Sequence, residues 1–282
     1  MRIIEFKISA LDSGKQIRDF LRDFGVSSSL LTKLKNTENG ITKNGEFART
    51  IDKVFTGDTI KITIENKGHM PEKLTDSNVQ AVYNDEDILV LNKPAFMPVH
   101  ESRNHRGDTL ANAAACYMES DTAFRAVYRL DRDTSGLVLI AKNELAACKL
   151  AGKIHKDYYA VCSGILSGNG TIDLPIRRVR ESIIERGVFD DGEKAVTHWK
   201  AVSNKNNTTL LKINLETGRT HQIRVHLSHL GYHLLGDTLY GRSTDLINRQ
   251  ALHCKAIYFT HPITDKEMVI ECDFPTDFKG LI

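Results

Sequence analysis

The sequence predicts an α+β protein: a mainly antiparallel mixed sheet with a few flanking helices, preceded by a small α/β module. Three observations carry this reading. Beyond Val79, segments that alternate polar and apolar residues at strand period outnumber segments with helical period. Residues 1–66 instead hold two helix-like segments and a hairpin. Between the two parts, residues 67–77 are polar, contain Gly68 and Pro71 and show no periodicity, as a linker does. The chain therefore divides into 1–66, 67–77 and 78–282.

The N-terminal part opens with residues 1–7 alternating as a strand. Ser13 is positioned to cap a helix whose apolar face is Ile17, Phe20, Leu21 and Phe24, with Gly25 as its stop. A second short helix is expected over 29–34, with Lys33 and Lys35 nearby. Lys43-Asn44-Gly45-Glu46 is a hairpin turn, and 59–64 is a clean alternating strand. In the larger part, helices are expected over 109–118 after Asp108, over 144–153 after Asn143 and over 221–230 after Thr220. Each follows a residue suited to an N-cap. Residues 156–163, 196–202, 208–215 and 257–260 alternate as strands, and 137–141 is a short apolar run suited to a buried one.

Composition excludes several classes. Hydrophobic content of 41% and charged content of 26% are those of an ordinary soluble globular protein. No apolar run approaches the roughly 20 residues that span a bilayer, and the first residues lack a signal-peptide core. The five cysteines, Cys116, Cys148, Cys162, Cys254 and Cys272, are odd in number and scattered, against a disulfide framework or a zinc site. We therefore expect a cytoplasmic protein without a membrane partner. A net charge of +2 does not by itself announce a nucleic-acid binder. Basic clusters at 177–180 and 129–132, with Arg219 and Arg224, could build a local groove, although solvated surface charge explains 177–180 equally well. No apolar stripe is left over for an interface, so a monomer is expected.

One ten-residue segment stands out: Tyr128-Arg129-Leu130-Asp131-Arg132-Asp133-Thr134-Ser135-Gly136-Leu137. Asp131 lies between two arginines on a polar turn, immediately before the apolar run at 137–141. An acidic side chain is thus presented on a loop anchored by a core strand, the usual setting for chemistry. The local pattern alone fits an exposed turn with a surface salt bridge just as well.

This segment resembles the catalytic motif of RluA-type RNA pseudouridine synthases, an arginine-leucine-aspartate followed by a threonine- or serine-glycine turn. Many members have histidine where this chain has Tyr128. Further segments resemble the same family in order. Residues 82–94 match its opening strand-turn-strand and lysine-proline pair, Lys93-Pro94, although Phe96 stands where glycine is frequent, so the local turn is expected to differ. Lys156-Asp157-Tyr158-Tyr159-Ala160 matches a lysine-x-tyrosine-x-alanine strand whose tyrosine is Tyr158, not Tyr159. Gly218-Arg219-Thr220-His221-Gln222-Ile223-Arg224 matches the third motif, and 235–241 follows it. The N-terminal part resembles, more loosely, the alpha-L RNA-binding domain shared with a small-subunit ribosomal protein; a purely structural cap is the other reading.

The resemblance implies isomerisation of a uridine in ribosomal or transfer RNA to pseudouridine. Asp131 would be the catalytic carboxylate, attacking the sugar or taking its 2′ proton. Arg224 would favour the ionised carboxylate, and Tyr158 would offer a ring face to the uracil. The base must leave its stack, so flipping is implied. Arg129 and Arg132 are candidates for phosphate contact or for filling the gap, and His221 for orienting a backbone or phosphate group. The reaction requires no cofactor and no metal, and no phosphate-cradling or dinucleotide motif is present.

His221, His226, His229 and His233 suggest a metal cluster, but no cysteine or carboxylate joins them at ligand spacing. Asp133 reads as a turn-stabilising acid, and Trp199 as core. Two other functions fit these residues less well. A non-catalytic binder of structured RNA would have no use for a trapped carboxylate beside Tyr158 and Arg224. A glycoside hydrolase needs a separated pair of acids, and no second acid is singled out.

Overall fold

The structure is a computed structural model that describes residues 1–66, 68–74, 77–119, 122–180 and 184–282. In chain order its elements are β1 (Arg2–Lys7), α1 (Ile17–Asp23), α2 (Ser28–Asn36), β2 (Ile41–Lys43), β3 (Glu46–Phe47), β4 (Thr59–Ile64), β5 (Gln80–Asn84) and β6 (Ile88–Lys93). There follow α3 (Leu110–Ala114), β7 (Ser135–Ala141), α4 (Glu144–Leu150), β8 (His155–Ser163), β9 (Asn169–Asp173), β10 (Ile176–Arg178), β11 (Arg186–Val188), β12 (Val196–Lys205) and β13 (Thr208–Leu215). The chain closes with α5 (Gln222–His229), β14 (Leu252–Thr260), β15 (Glu267–Glu271) and α6 (Thr276–Lys279). The fold is α+β, mostly sheet, with a mainly antiparallel mixed sheet at its centre, as the sequence predicts. No helix among the described residues is long and apolar enough to cross a membrane.

The first sheet, β1-β4-β2-β3, is antiparallel throughout, and α1 and α2 close over it. Asn44 (φ 52°) and Gly45 (φ 91°) both take the left-handed conformations that a tight two-residue hairpin requires. Ser27, not a residue of the predicted segment, caps α2 through Leu30 N–H. Ser13 does not cap α1. Its hydroxyl accepts from Thr56 N–H, and the helix starts three residues later after Gln16.

This unit has its own apolar core and is packed against the larger part. Leu145 of α4 is fully buried among Ile4, Ile17 and Leu31, which contributes roughly 2 kcal/mol. Lys149 stands 4.0 Å over the Phe24 ring. Arg2 forks onto both oxygens of Asp87 at 2.9 Å, and Lys33 reaches Glu144. Residues 67, 75 and 76 of the expected linker lie outside the described residues. The described part forms no helix or strand, yet it is tied down along α3: Leu74 N–H donates to Asn112 O, and the Asn112 amide donates to Glu72 O.

The large sheet runs β5-β6-β7-β14-β8-β13-β12-β9, with β15 on β14. Its pairs are antiparallel except β7 with β14, which meet in parallel over only Ser135↔His253 and Gly136↔Cys254. Every residue of β7 is buried, as its unbroken apolar run demands. Helix α3 is shorter than predicted because the chain tightens to i→i−3 bonds at Cys116 and Tyr117, and its cap is Thr109 with Asn112 in a capping box, not Asp108. Asn143 caps α4, which ends at Leu150 before Gly152 turns the chain at φ 71°. Phe96 takes a left-handed conformation (φ 63°) of the kind glycine adopts freely.

Gly136 marks the tightest approach in the sheet. It holds φ 117°, and a Cβ there would lie 2.2 Å from Cys254 O. Gly136→Ala is therefore expected to cost roughly 3 kcal/mol of stability, read as a lower urea midpoint at unchanged slope.

Candidate active site

Asp131 lies in the turn that leads into β7, its carbonyl accepting from Thr134 N–H at 3.1 Å. Leu130 before it and Thr134 after it are buried, so the loop is gripped on both sides while the carboxylate remains about a quarter exposed. The grip extends below. The fully buried Lys93 ends β6 and donates to Arg132 O, Pro94 O and Met97 O, each at 2.9 Å. Burial pulls its pKa down to about 7 despite Asp133 and Asp131 nearby. Arg249 donates to Asp133 O at 3.2 Å while clasping Asp277 of α6 at 2.6 and 3.0 Å. Gln250 donates to Thr134 Oγ1, and His253 Nδ1 lies 2.9 Å from Ser135 Oγ.

Facing Asp131 is Arg224 of α5, whose Nη1 is 3.4 Å from Asp131 Oδ2. Its Nε and Nη2 fork onto Asp237, at 2.7 and 2.9 Å, and the Asp237 side chain is fully buried. Burial alone would disfavour the guanidinium's charge, but Asp237 and then Asp131 outweigh it and raise its pKa. Asp237 also accepts from Leu239 N–H and Tyr240 N–H, so its carboxylate is well satisfied. Tyr158 of β8 lines the same cleft. Burial, with smaller contributions from Cys254 and Asp131, holds its phenol well above the usual range and therefore neutral. Tyr159 points to the other face of the sheet, against Phe274.

His221 completes the cleft, half-buried, with Nε2 3.9 Å from Asp131 Oδ2 and Nδ1 2.8 Å from Tyr240 Oη. It is also the N-cap of α5, in a left-handed conformation at φ 58°; Thr220, the predicted cap, instead accepts from Arg129 at 3.2 Å. Arg129 is exposed on the cleft wall. Arg132 is exposed too, but it is paired with its neighbour Asp133 at 2.7 Å and lies in an adjoining depression with His100 and Thr220. Tyr158, Arg224, Arg129 and His221 thus line one cleft with Asp131, and Arg132 stands in the depression beside it. Four that matter to the geometry carried no prediction: Lys93, Asp237, Tyr240 and Arg249. The signal for Lys93 is a lone cation ending an apolar strand.

Elsewhere, His226 is buried with one nitrogen on Thr197 Oγ1 and the other on Leu174 O, so neither is free for a metal. Asp85, Asp87 and His261 are the one group at ligand spacing among the described residues. Asp87 is already forked by Arg2 and bonded by Asn143, and Asp85 accepts from the Asp87 and Ile88 N–H groups and the Tyr83 hydroxyl, with His261 Nε2 2.9 Å away. A guanidinium in that position opposes a cation. In the basic cluster at 177–180, the half-buried Arg177 stacks 3.6 Å over Phe189 and pairs with Asp191.

Two outcomes follow from this geometry. Asp237→Asn removes the buried partner of Arg224, and should lower stability by roughly 3–5 kcal/mol and activity with it, checked by urea unfolding and a turnover assay. His253 is held neutral, its pKa pushed down to about 3 by burial and then by Arg249 and Lys255. An unfolded histidine titrates near 6.5, so from there down to about 3 the unfolded chain takes a proton that the folded one refuses. Stability is lost as pH falls through that window. Between pH 6.5 and 5 the wild type should lose about 2 kcal/mol more than His253→Gln, measured by denaturation at both pH values.

The chain is similar to known proteins over most of its length. The profile of the family described as RNA pseudouridylate synthase matches residues 87–229, the stretch that holds Asp131, Tyr158 and Arg224. An "uncharacterized RNA pseudouridine synthase" of Bacillus subtilis (strain 168) is 38% identical over 278 residues, 94% of this chain and 98% of that protein. "Ribosomal large subunit pseudouridine synthase D" of Pseudomonas aeruginosa is 37% identical over 265 residues, covering 86% of this chain and 82% of that one. Among solved structures, "Human RNA Pseudouridylate Synthase Domain Containing 1" shares the fold, with a TM-score of 0.60 at 24% identity over 73% of this chain and 86% of that one. The chain belongs to the RNA pseudouridine synthase family of isomerases, the RluA type that its motifs resemble.

Proposed function

We propose that this enzyme converts a uridine of large-subunit ribosomal RNA to pseudouridine, with Asp131 as the carboxylate that reacts at the ribose. The observation that carries the assignment is the Asp131 carboxylate, partly open to solvent, with Arg224 Nη1 at 3.4 Å and the Tyr158 ring in the same cleft. Whether the carboxylate attacks C1′ or removes the 2′ proton, it must lie beside the sugar of a nucleotide that has left its stack. Arg224 supplies positive charge at that point, and Asp237 keeps the guanidinium from swinging away. The neutral Tyr158 offers a flat partner for the uracil. Exposed Arg129 is suited to a phosphate or to the space the base vacates. Arg132, committed to Asp133, suits a looser backbone contact.

The same reading extends to the whole chain. Residues 1–66 act as an RNA-binding accessory domain, 67–77 as the connection and 78–282 as the catalytic domain. The protein works as a cytoplasmic monomer. The reaction is an isomerisation that breaks one C–N bond and forms one C–C bond, so no oxidant, group donor or metal is called for. Ribosomal RNA is preferred to transfer RNA because several relatives bear the name of a large-subunit enzyme.

Pseudouridine mapping of ribosomal and transfer RNA from cells lacking the gene tests this. Wild type should restore a missing site in large-subunit RNA. Asp131→Asn should bind RNA as tightly and be slower by at least ~10³-fold. Restoration only in transfer RNA overturns the substrate, and an active Asp131→Asn overturns the residue.

A further inference from the structure

Three hydrogen-bonding groups fix the proton of His221. Arg186 N–H donates to Tyr240 Oη at 2.8 Å, and Tyr240 Oη lies 2.8 Å from His221 Nδ1. If Nδ1 carried the proton, the Tyr240 oxygen would accept twice and its own hydroxyl would have no acceptor among the described residues. The arrangement that satisfies every group has Tyr240 donating to Nδ1 and the imidazole proton on Nε2. Burial keeps both partners neutral: it raises the Tyr240 pKa, and it lowers that of His221, where Arg224 and Arg186 oppose the upward pull of Asp131 and Asp237. Nε2–H faces Asp131 Oδ2 at 3.9 Å, beyond a hydrogen bond, so a group of the substrate can stand between or beside them.

The backbone adds a second observation. His221 takes φ 58° at the start of α5, a conformation that costs energy for most side chains and is favoured by asparagine. A histidine held there, with its proton directed into the cleft, is arranged for more than capping a helix.

We propose that His221 is a catalytic hydrogen-bond donor, its Nε2–H bonding a carbonyl oxygen of the uracil as the base leaves the sugar. In that step the C1′–N1 bond breaks and its electron pair passes to the uracil, spreading from N1 onto the carbonyl oxygens. A neutral donor stabilises this charge without giving up its proton, so the base can turn and bond through C5. The C5 proton then passes to solvent and N1 takes one up, which balances the isomerisation. The inference rests on Asp131 being the reacting carboxylate.

The C5 hydrogen is lost in the reaction, so release of tritium from RNA labelled at uracil C5 reads turnover. The substrate is total RNA from cells lacking the gene. His221→Ala should lower kcat by ~10²-fold with KM little changed. The decisive pair is His221→Gln and His221→Asn. The glutamine amide nitrogen reaches the position of Nε2, whereas the asparagine amide reaches only that of Nδ1. Backbone preference favours asparagine at φ 58°. Activity of the glutamine variant within ~10-fold of wild type, with the asparagine variant as slow as alanine, supports the donor. The reverse order assigns His221 to the helix terminus alone, and loss confined to KM assigns it to RNA binding; either overturns the proposal. No tritium release by wild type, or substantial release by Asp131→Asn, would instead sink the underlying reading on which the proposal rests.

Discussion

A single guanidinium inside the fold organises the site. Arg224 is almost wholly buried, and a buried cation without a partner would cost several kcal/mol. Asp237 meets that cost with two short hydrogen bonds, and it is itself steadied by the backbone of the turn that follows it. The consequence lies on the guanidinium's remaining side, where Nη1 faces Asp131 from a fixed position. Helix α5 and the 235–241 turn are therefore bound to one another by charge as much as by packing. The Tyr240 ring 5.0 Å beneath the guanidinium belongs to the same arrangement.

Asp131 itself depends on a second set of buried polar groups. Lys93, Arg249 and Gln250 donate to Arg132 O, Asp133 O and Thr134 Oγ1 of the 132–135 segment, and His253 Nδ1 is hydrogen-bonded to Ser135 Oγ. Loop carbonyls beneath a protein surface would otherwise lack partners. Arg249 also joins this loop to Asp277 near the C-terminus, so the last helix, short as it is, bears on the position of a residue far from it in sequence. The turn is polar toward the cleft and bonded at several points beneath, which lets a loop hold a side chain firmly.

Much of this was legible in the sequence, and the failures have a common cause. The apolar run at 137–141 announces a buried strand, the lysine-x-tyrosine-x-alanine motif points to Tyr158 over Tyr159, and Asn143 reads as a cap. Each is decided by neighbours within a few residues. Ser13 and Thr220 look equally like caps, but a hydroxyl goes to whichever N–H or guanidinium the tertiary fold brings near, here Thr56 and Arg129. Lys93, Asp237, Tyr240 and Arg249 went unassigned for the same reason. Their partners lie on other elements, and nothing local distinguishes a buried arginine from the solvated ones at 177–180. The region of Asp131, Tyr158 and Arg224 could be named from motifs; the bonds that support it could not.

The meeting of β7 and β14 has a bearing on how the chain acquires its activity. In the backbone ladder of the large sheet, two residue pairs join the hairpin side, β5-β6-β7, to the remainder, and side-chain bonds and a shared apolar core complete the junction. Asp131 belongs to the first body, and Tyr158, His221 and Arg224 to the second. Neither side holds the whole site by itself. Catalytic competence is therefore a property of the junction around Gly136, where the two sides meet, rather than of either side alone.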